Sequence, residues 1–316
     1  MRQRYVGRSG LRVSRIGLGT LTWGRDTDEH EAREQLTSFL DAGGNLVDTA
    51  VSYGDGASEE LIGSLLATTV NRDEVVLSSK AGVAPGTGER DTSRRTLLRQ
   101  LDTTLARLGV DHLDLWQVQT WVPEIPLEET LSALDYAVRT GRTAYVGVSN
   151  YTGWQCALAH TTQSQHVGGP ALVSTQVEYS LLNRDVELEV VPAAEALGMG
   201  VIAWSPLGRG VLTGKYRTGT PADSRGASPQ FERFVGVYLG PSSRRIVEAV
   251  ARAADGLQLS PTEVALAWVR DRPGVSSAVV GARTAAQLKG TLLAEDVELP
   301  DEIAAALDDV SEHGEE

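Results

Sequence analysis

The sequence of 316 residues predicts an α/β protein: a (β/α)8 TIM barrel with an N-terminal β-hairpin that caps the bottom of the barrel. Eight short apolar segments recur along the chain, and segments with helical apolar spacing lie between them. The apolar segments are nearly continuous, as expected for parallel strands that are covered on both faces. Right-handed crossovers between such strands favour a closed barrel, and an open doubly wound sheet is the alternative.

Composition and charge exclude several classes of protein. Hydrophobic residues make up 41% of the chain and charged residues 22%, which is typical of a globular protein with a large core. The net charge of −13 argues against a general nucleic-acid or anionic-membrane partner, because such a surface repels phosphate. The single cysteine, Cys156, rules out an internal disulfide and a cysteine-based zinc cluster. We find no apolar segment that could span a bilayer and no signal-peptide core in residues 1–8, and we expect a cytoplasmic protein.

The sequence predicts a single domain over residues 1–316, which contains the hairpin and all the barrel strands. Residues 1–14 contain a hairpin, with a Ser-Gly turn between its two strands. The barrel strands are then expected, in order, at residues 15–19, 45–50, 75–80, 113–119, 145–150, 173–180, 201–205 and 275–281.

The helices between these strands have recognisable ends. The first is expected to begin after Thr27. The third is predicted between a Ser93 cap and a Gly109 stop, and its apolar stripe is Leu97, Leu101, Leu105 and Leu108. The fourth is predicted to begin at Pro126 and to end at Gly141, because proline suits the first turn of a helix and glycine suits its end.

Residues 212–241 form the longest irregular segment, which is too rich in Gly, Pro and Ser to pack as a helix. Loops of that length are usually functional or disordered, and we expect this one to contact a cofactor or a substrate. Its arginines, Arg217, Arg225 and Arg233, are candidate phosphate contacts, or are simply solvated. Residues 311–316 form an acidic tail.

Polar side chains stand at the C-terminal ends of the predicted barrel strands, where barrel enzymes carry their chemistry. In chain order they are Asp48, Lys80, Gln119, Ser149, Asn150, Gln176 and Ser205, with Tyr53 in the loop after Asp48. Burying such groups costs several kcal/mol unless they pair with one another or with a ligand. Any one of them could be a helix cap or a loop contact, but the set indicates a functional site.

Six motifs, in order across nearly the whole chain, resemble the aldo-keto reductase superfamily. They are Asp48-Thr49-Ala50-Val51-Ser52-Tyr53-Gly54, Ser78-Ser79-Lys80, Gly147-Val148-Ser149-Asn150, Gln176-Val177-Glu178-Tyr179, Ser205-Pro206-Leu207-Gly208-Arg209-Gly210 and Gly281-Ala282-Arg283. The resemblance implies a (β/α)8 barrel that uses NADP(H) to reduce a small aldehyde or ketone to an alcohol.

The resemblance assigns the catalytic roles. Tyr53 matches the proton donor, and a nearby Lys80 ammonium would bring down the pKa of its phenol. Asp48 would pair with Lys80 and hold it in place; the alternative is that this pair is purely structural. Gln119 stands at the end of the fourth strand, where the family usually has a histidine.

The resemblance also assigns the cofactor contacts. Ser149, Asn150 and Gln176 match the residues that bind the nicotinamide carboxamide, and Trp204 matches the aromatic ring that stacks on the nicotinamide. The pyrophosphate region corresponds to Ser205, Leu207, Gly208, Gly210 and Lys215. The adenosine 2′-phosphate would bind Arg283, beside Gly281, with Thr284 and Gln287 completing the pocket. Gly290 and Thr291 replace a carboxylate and an asparagine that the family often has. Trp23 and Trp121 would form apolar walls of the substrate pocket, unless they only pack their loops.

The glutamine at position 119 leaves two functions open. An amide can donate a hydrogen bond to a carbonyl oxygen, but it cannot shuttle a proton. Either Tyr53 alone supplies the proton in a working reductase, or the barrel is a catalytically weak NADPH-binding regulatory module. The second reading resembles the potassium-channel β subunits, in which that position is also an amide. The retention of Asp48, Tyr53 and Lys80 favours the enzyme.

No histidine is placed to replace the missing one. His30, His160 and His166 fall in helical segments, His112 precedes the fourth strand, and His313 lies in the tail. This distribution also disfavours a Ser-His-Asp hydrolase and a histidine-rich metal site.

Overall fold

The apolar segments of the sequence form parallel strands in the computed structural model, which describes residues 1–165, 169–222, 224–228 and 231–312. The first two strands are β1 (Gln3–Tyr5) and β2 (Arg12–Ser14). The others are β3 (Ile16–Gly19), β4 (Leu46–Asp48), β5 (Val76–Ala81), β6 (Leu113–Val118), β7 (Thr143–Ser149), β8 (Leu172–Glu178), β9 (Gly200–Trp204) and β10 (Val275–Val280). Strands β3 to β9 pair in sequence, and β10 closes the barrel between β9 and β3. The predicted closed barrel is confirmed.

The N-terminal hairpin is also confirmed. Strands β1 and β2 pair antiparallel, with Arg4 opposite Val13. Val6, Leu11 and Val13 are buried in one cluster with side chains of the barrel strands, among them Leu46 and Leu115. The hairpin therefore closes the barrel end opposite to the polar strand ends, because its apolar side chains fill the space between the strands.

The helices surround the barrel. They are α1 (Glu29–Asp41), α2 (Ala57–Thr68), α3 (Arg94–Leu108), α4 (Leu127–Arg139), α5 (Gly153–Gln165), α6 (Val190–Leu197), α7 (Glu232–Gly236), α8 (Pro241–Leu257), α9 (Pro261–Arg270), α10 (Ala285–Leu292) and α11 (Asp301–Ser311). Helix α3 has the predicted ends, since the Ser93 side chain accepts from the Thr96 amide and Gly109 is left-handed. Helix α1 begins at Glu29 with Asp28 as its cap. Along the part of the chain that the structure describes, none of these helices is long and apolar enough to cross a membrane.

Register between the barrel strands brings the polar residues of neighbouring strands together. Asp48 lies opposite Ser78, and Ser149 lies opposite Gln176. Strand β4 ends at Asp48, two residues earlier than predicted, because the chain leaves the ladder there. The amide of Val51 still bonds the Lys80 carbonyl, at 3.1 Å, so the loop after β4 stays against β5.

The segment 212–241 is more ordered than its composition predicts. Helix α7 and the short 3-10 helices Gly208–Thr213 and Arg225–Ala227 lie in or overlap it, so the prediction that no helix packs there is wrong. Apolar burial explains the difference, since Val235 in α7 is fully buried. His166 and the tail from His313 onward lie outside the described residues.

Candidate active site

A cavity of about 660 Å³ lies at the C-terminal ends of the barrel strands. Its volume falls in the range of about 300–1,000 Å³ that is usual for ligand pockets. The predicted catalytic residues Asp48, Tyr53, Lys80 and Gln119 all line it. So do all the predicted cofactor residues except Gly208, namely Ser149, Asn150, Gln176, Trp204, Ser205, Leu207, Gly210, Lys215, Gly281, Arg283 and Gln287.

Asp48 and Lys80 form a buried ion pair at the ends of β4 and β5. The Lys80 Nζ lies 2.6 Å from Asp48 Oδ2 and also donates to the Thr49 carbonyl at 2.8 Å. The other carboxylate oxygen, Asp48 Oδ1, accepts from Ser78 Oγ at 3.0 Å and from Gln176 Nε2 at 2.9 Å. Both charges are almost fully buried, at 1% and 2% exposure, so each depends on the other for compensation.

Tyr53 reaches this pair because a tight turn follows β4. Its amide donates to the Ala50 carbonyl at 3.0 Å, and a 3-10 turn, Tyr53–Gly56, starts at Tyr53 itself. Three residues of that turn have positive φ, including Asp55 at 57° and Gly56 at 105°, and glycine adopts this conformation at the lowest cost. The turn brings the Tyr53 ring centroid to 5.2 Å from Lys80 Nζ.

Burial and the neighbouring charges together raise the pKa values of both Tyr53 and Lys80. Burial raises the pKa of Tyr53, and the Lys80 ammonium lowers it by less than burial raises it. For Lys80, burial alone would lower the pKa, but the Asp48 carboxylate and the Tyr53 hydroxyl, by charge and hydrogen bonding, raise it above its usual value. The predicted effect of Lys80 has the expected sign, since the ammonium lowers the pKa of the phenol, but lost hydration outweighs it and the pKa of Tyr53 lies above its usual value.

Gln119 lies at the cavity, directly after β6. Its backbone amide donates to the Ala81 carbonyl at 2.8 Å, which continues the pairing of β6 with β5. Its side-chain Oε1 lies 3.5 Å from the Ser52 hydroxyl, in the loop that carries Tyr53. The amide thus occupies the cavity wall beside the phenol, and its N–H groups are the kind of donor that a carbonyl oxygen accepts.

Asn150 and Trp204 are joined to the same wall by hydrogen bonds. The indole N–H of Trp204 donates to Asn150 Oδ1 at 3.0 Å, and Asn150 Nδ2 donates to the Gln119 carbonyl at 2.9 Å. Asn150 adopts a positive φ of 58°, which turns the chain sharply at the end of β7. The neighbouring Ser149 hydroxyl donates to the Gln176 carbonyl at 2.9 Å. These hydrogen bonds join the ends of four neighbouring strands, β6 to β9.

The turn after β9 has the backbone shape of an anion site. Ser205, Gly208, Arg209 and Gly210 all have positive φ, with Gly210 at 93°. A turn of this shape can bind phosphate through backbone N–H groups. The N–H groups of Gly208 and Gly210 are used within the turn, because they donate to the Ser205 and Leu207 carbonyls at 2.8 and 2.9 Å. Gly208 contributes to this shape but is buried, and a Cβ there would lie 2.6 Å from a Leu182 methyl. Gly208 is therefore required for close packing, and the cavity is lined by its neighbours.

Arg283, predicted to bind a 2′-phosphate, lines the cavity at the start of α10. Its backbone amide donates to Gln287 Oε1 at 3.1 Å, and the Gln287 amide donates to the Thr284 hydroxyl at 3.2 Å. Thr284 is therefore the N-cap of α10 and holds its first turn. Gly290 and Thr291 also line the cavity.

Neither tryptophan that was predicted as a substrate wall lines the cavity. Trp23 has no exposed surface, and its indole N–H donates to Gln35 Oε1 at 3.1 Å in the core. Trp121 is not among the described cavity residues and packs edge-on against Tyr151 and Trp154, with ring centroids 5.2 and 5.5 Å away. Trp23 corrects the prediction of a substrate wall: its indole is a core side chain that packs against α1, which agrees with the alternative of a packing role.

The arginines of the long loop differ in their surroundings. Arg217 forms a two-pronged ion pair with Glu248 of α8, at 2.8 and 2.7 Å, rather than facing the cavity. Arg233 is exposed. Lys215, Thr213 and Phe234 of this loop line the cavity.

A row of polar side chains that the sequence patterns did not predict lies inside the barrel, below Asp48. Gln117 Nε2 donates to Ser78 Oγ at 3.2 Å, and the Ser174 hydroxyl donates to Gln117 Oε1 at 3.2 Å. Because side chains two residues apart share a strand face, Ser78 with Lys80 and Gln117 with Gln119 could have been predicted to face inwards together. This row supports the Asp48 carboxylate from beneath.

A second missed feature is the ion pair of Arg209 with Glu178. The guanidinium donates to both carboxylate oxygens, at 2.8 and 2.5 Å, and lies 3.9 Å from the centroid of Phe234. Arg209 lines the cavity. Both residues belong to motifs of the sequence, where Glu178 follows Gln176 by two positions and so shares its face of β8.

The single cysteine, Cys156, is buried. Burial raises the pKa of the Cys156 thiol to about 11, which leaves it unreactive at neutral pH. Within the residues that the structure describes, no group of three or more His, Cys, Asp or Glu side chains is arranged to hold a metal ion.

Comparison with known proteins finds relatives along nearly the whole chain. A family model described as the aldo/keto reductase family matches residues 15–312. A Bacillus subtilis (strain 168) protein named as an uncharacterized oxidoreductase, YrpG, is 36% identical over 98% of this chain and 96% of its own. A probable voltage-gated potassium channel subunit beta of Oryza sativa subsp. japonica is 34% identical, covering 94% and 92%. The L-glyceraldehyde 3-phosphate reductase of Escherichia coli O157:H7 is 34% identical, covering 92% and 86%.

Proposed function

This chain belongs to the aldo/keto reductase family, and on that premise we propose that it uses NADPH to reduce an aldehyde or a ketone to an alcohol. One observation carries the proposal: the Tyr53 phenol, the Lys80 ammonium and the Asp48 carboxylate meet in one cavity. The glycine-rich turn after β9, which has positive φ angles, and Arg283 line the same cavity. A reductase needs a proton donor and a place for an anionic dinucleotide, and this cavity offers both.

The residues present fit a nicotinamide dinucleotide. In the turn from Ser205 to Gly210, the N–H groups of Leu207 and Arg209, with the Lys215 ammonium close to Gly210, suit a pyrophosphate. The Arg283 guanidinium suits a 2′-phosphate, which it can bind with two parallel hydrogen bonds. At the other strand ends, Gln176 and Asn150 offer amide groups to a carboxamide, and Trp204 offers a flat aromatic surface. When bound, the reduced nicotinamide supplies a hydride.

The side chains of the cavity would supply the proton. The Tyr53 hydroxyl donates its proton to the carbonyl oxygen as that oxygen becomes an alkoxide. The Lys80 ammonium then stabilises the phenolate that remains, and Asp48 keeps Lys80 charged and in place. The Gln119 amide, on the same wall, donates a hydrogen bond that orients the carbonyl oxygen. A general acid held in this way contributes about 10²–10⁴-fold to the rate.

The pH dependence of reduction tests this arrangement. The protonated form of Tyr53 is the active one, and it is present below the pKa of the phenol. Because that pKa is raised, we expect kcat/KM for reduction to stay constant from about pH 6 to pH 9 and to fall only above about pH 10. Single-turnover oxidation of NADPH across that range measures it. A fall between about pH 7 and pH 9 would show that the phenol is more acidic than this site allows.

Cofactor preference tests the role of Arg283. We expect Arg283→Ala to weaken NADPH binding about tenfold to a hundredfold and to leave NADH binding nearly unchanged, because only NADPH carries the 2′-phosphate. Titration of the intrinsic fluorescence with each nucleotide measures both affinities, since a ring stacked on Trp204 should quench it. Lys289→Ala, an exposed change on α10, the helix that follows Arg283, is the control. An equal loss for both nucleotides would contradict the assignment.

A second function is favoured by one feature, the amide at position 119. The similarity to the rice channel subunit supports a regulatory module that binds NADPH and turns over slowly, if at all. Stopped-flow oxidation of bound NADPH by a panel of aldehydes and ketones separates the two functions. Oxidation faster than the rate in buffer supports the reductase. Tight binding of NADPH without such oxidation supports the regulatory module.

We also propose a reducing, cytoplasmic setting. The chain has one cysteine, and Cys156 is buried, so the fold makes no use of disulfides. Proteins that work under oxidising conditions are more often stabilised by such bonds. Fractionation of cells that express the protein, with immunodetection, would test the compartment.

A further inference from the structure

A buried carboxylate with no part in the proton transfer lies behind the turn that carries Tyr53. Glu59, in the first turn of α2, has no exposed surface. Its Oε1 accepts from the Ser79 hydroxyl at 2.9 Å and from the Thr104 hydroxyl at 2.7 Å, and its Oε2 lies 3.3 Å from Arg107 Nη1. Burying an isolated carboxylate would cost several kcal/mol of folding free energy, and these three partners offset that cost for Glu59.

Arg107 connects this carboxylate to the Tyr53 turn. Its guanidinium donates to the Val51 carbonyl at 3.3 Å and to the Asp55 carbonyl at 3.5 Å, one on each side of Tyr53. It also packs flat against Gly56, where a Cβ would lie 2.2 Å from the guanidinium carbon. Gly56 is therefore needed both for its positive φ and for the close approach of Arg107.

The same carboxylate is attached to the strand that carries Lys80. Ser79 precedes Lys80 on β5, and successive side chains of a strand point to opposite faces. Lys80 thus faces the barrel interior while Ser79 faces the helices and bonds Glu59. One carboxylate therefore links the outer face of β5 to the arginine that holds both flanks of the Tyr53 turn.

We propose that Glu59 and Arg107 are positioning residues, which set the separation of the Tyr53 hydroxyl and the Lys80 ammonium by fastening the Tyr53 turn to β5. This inference rests on the proposed reductase function. Neither residue is among the described residues of the cavity wall, so both act through the turn and not on the substrate. Small displacements matter here, because a misplacement of about 1 Å can cost about a hundredfold in rate.

The experiment compares Arg107→Gln with the wild-type protein and with Arg99→Gln, an exposed change two turns earlier on α3. We expect Arg107→Gln to lower kcat about tenfold to a hundredfold, with KM for the aldehyde and Kd for NADPH nearly unchanged, well below the unfolding temperature. Arg99→Gln should match wild type. A variant that is only less stable, with unchanged kcat for the folded protein, would overturn the proposal.

Two further variants keep the test decisive if Arg107→Gln folds poorly. Arg107→Lys retains one donor and should recover part of kcat. Glu59→Gln retains the acceptor for Ser79 and Thr104 but loses the charge that holds Arg107. If the two residues act as one unit, the double variant with Arg107→Gln should lose no more than Arg107→Gln alone. Additive losses would contradict a shared role.

Crystal structures of the wild type and of Arg107→Gln decide the matter without reference to turnover. A displaced Tyr53 turn, with the phenol farther from Lys80, supports the proposal; an unmoved turn overturns it. If the wild type reduces no carbonyl compound, the proposed function fails while this measurement still tests the positioning. If Tyr53→Phe abolishes reduction and Arg107→Gln changes neither rate nor geometry, only the positioning fails.

Discussion

Replacing Tyr53 with phenylalanine is expected to lower kcat for carbonyl reduction by about 10²–10⁴-fold, while NADPH binding stays the same. The substitution removes one hydroxyl and leaves the ring that lies 5.2 Å from the Lys80 ammonium. The packing of the turn should therefore survive, and only the proton donor is lost. Stopped-flow oxidation of bound NADPH measures the rate, and a fluorescence titration measures the affinity.

The control for this change is Tyr136→Phe, which removes an equivalent hydroxyl from an exposed ring on α4. It should leave the rate and the affinity unchanged. Reduction by Tyr53→Phe at nearly the wild-type rate would mean that another group, or solvent, supplies the proton. The assignment of Tyr53 would then be wrong, although the buried ion pair beside it would still need an explanation.

Replacing Lys80 with methionine is expected to abolish measurable reduction and to destabilise the fold by about 3–5 kcal/mol. Methionine fills a similar volume but leaves the Asp48 carboxylate buried without its counter-charge, supported only by Ser78 and Gln176. The pKa of Lys80 is raised, so in the wild type its contribution to stability is complete below the unfolded-state pKa of about 10.4 and is lost as the pH rises through the folded-state value. Denaturant unfolding at neutral pH measures the difference.

The double variant Lys80→Met with Asp48→Asn separates stability from catalysis. Removing both charges ends the electrostatic penalty, so we expect much of the lost stability to return. Activity should not return, because no ammonium remains to stabilise the phenolate. A double variant as unstable as Lys80→Met alone would show that packing, and not the unpaired carboxylate, determines the effect.

Much of the barrel and of the cavity could be predicted because local patterns carry that information. Eight apolar segments allowed few arrangements, and the polar residues at their C-terminal ends had to gather at one face of a closed barrel. Asp48, Lys80 and Gln176 lie close together for this reason. Helix α3 was predictable at both ends, since Ser93 and Gly109 act on their own immediate neighbours.

Other features depend on contacts between residues that are distant along the chain. Whether Trp23 lines a pocket or fills the core depends on Gln35 and the packing of α1, which the residue type does not reveal. Helix α7 forms in a segment of poor helical composition because Val235 is buried by the surrounding fold. The raised pKa of Tyr53 is of the same kind, since burial and charge act in opposite directions and only the three-dimensional arrangement decides between them.

The amino-acid pattern alone determined the family, the barrel and the residue types at its polar end. Periodicity, turn residues and the order of the segments along the chain can all be read from the sequence. Tertiary structure alone decided which of those side chains line the same cavity and in which direction burial moves the pKa of Tyr53. It also decided that Glu59 and Arg107 lie behind the turn that carries Tyr53. The pairing of Arg107 with the turn around Tyr53 spans 56 residues at Val51 and 52 at Asp55. Contacts of that separation form only when the helices have packed on the barrel, and their energies depend on burial that no local segment possesses.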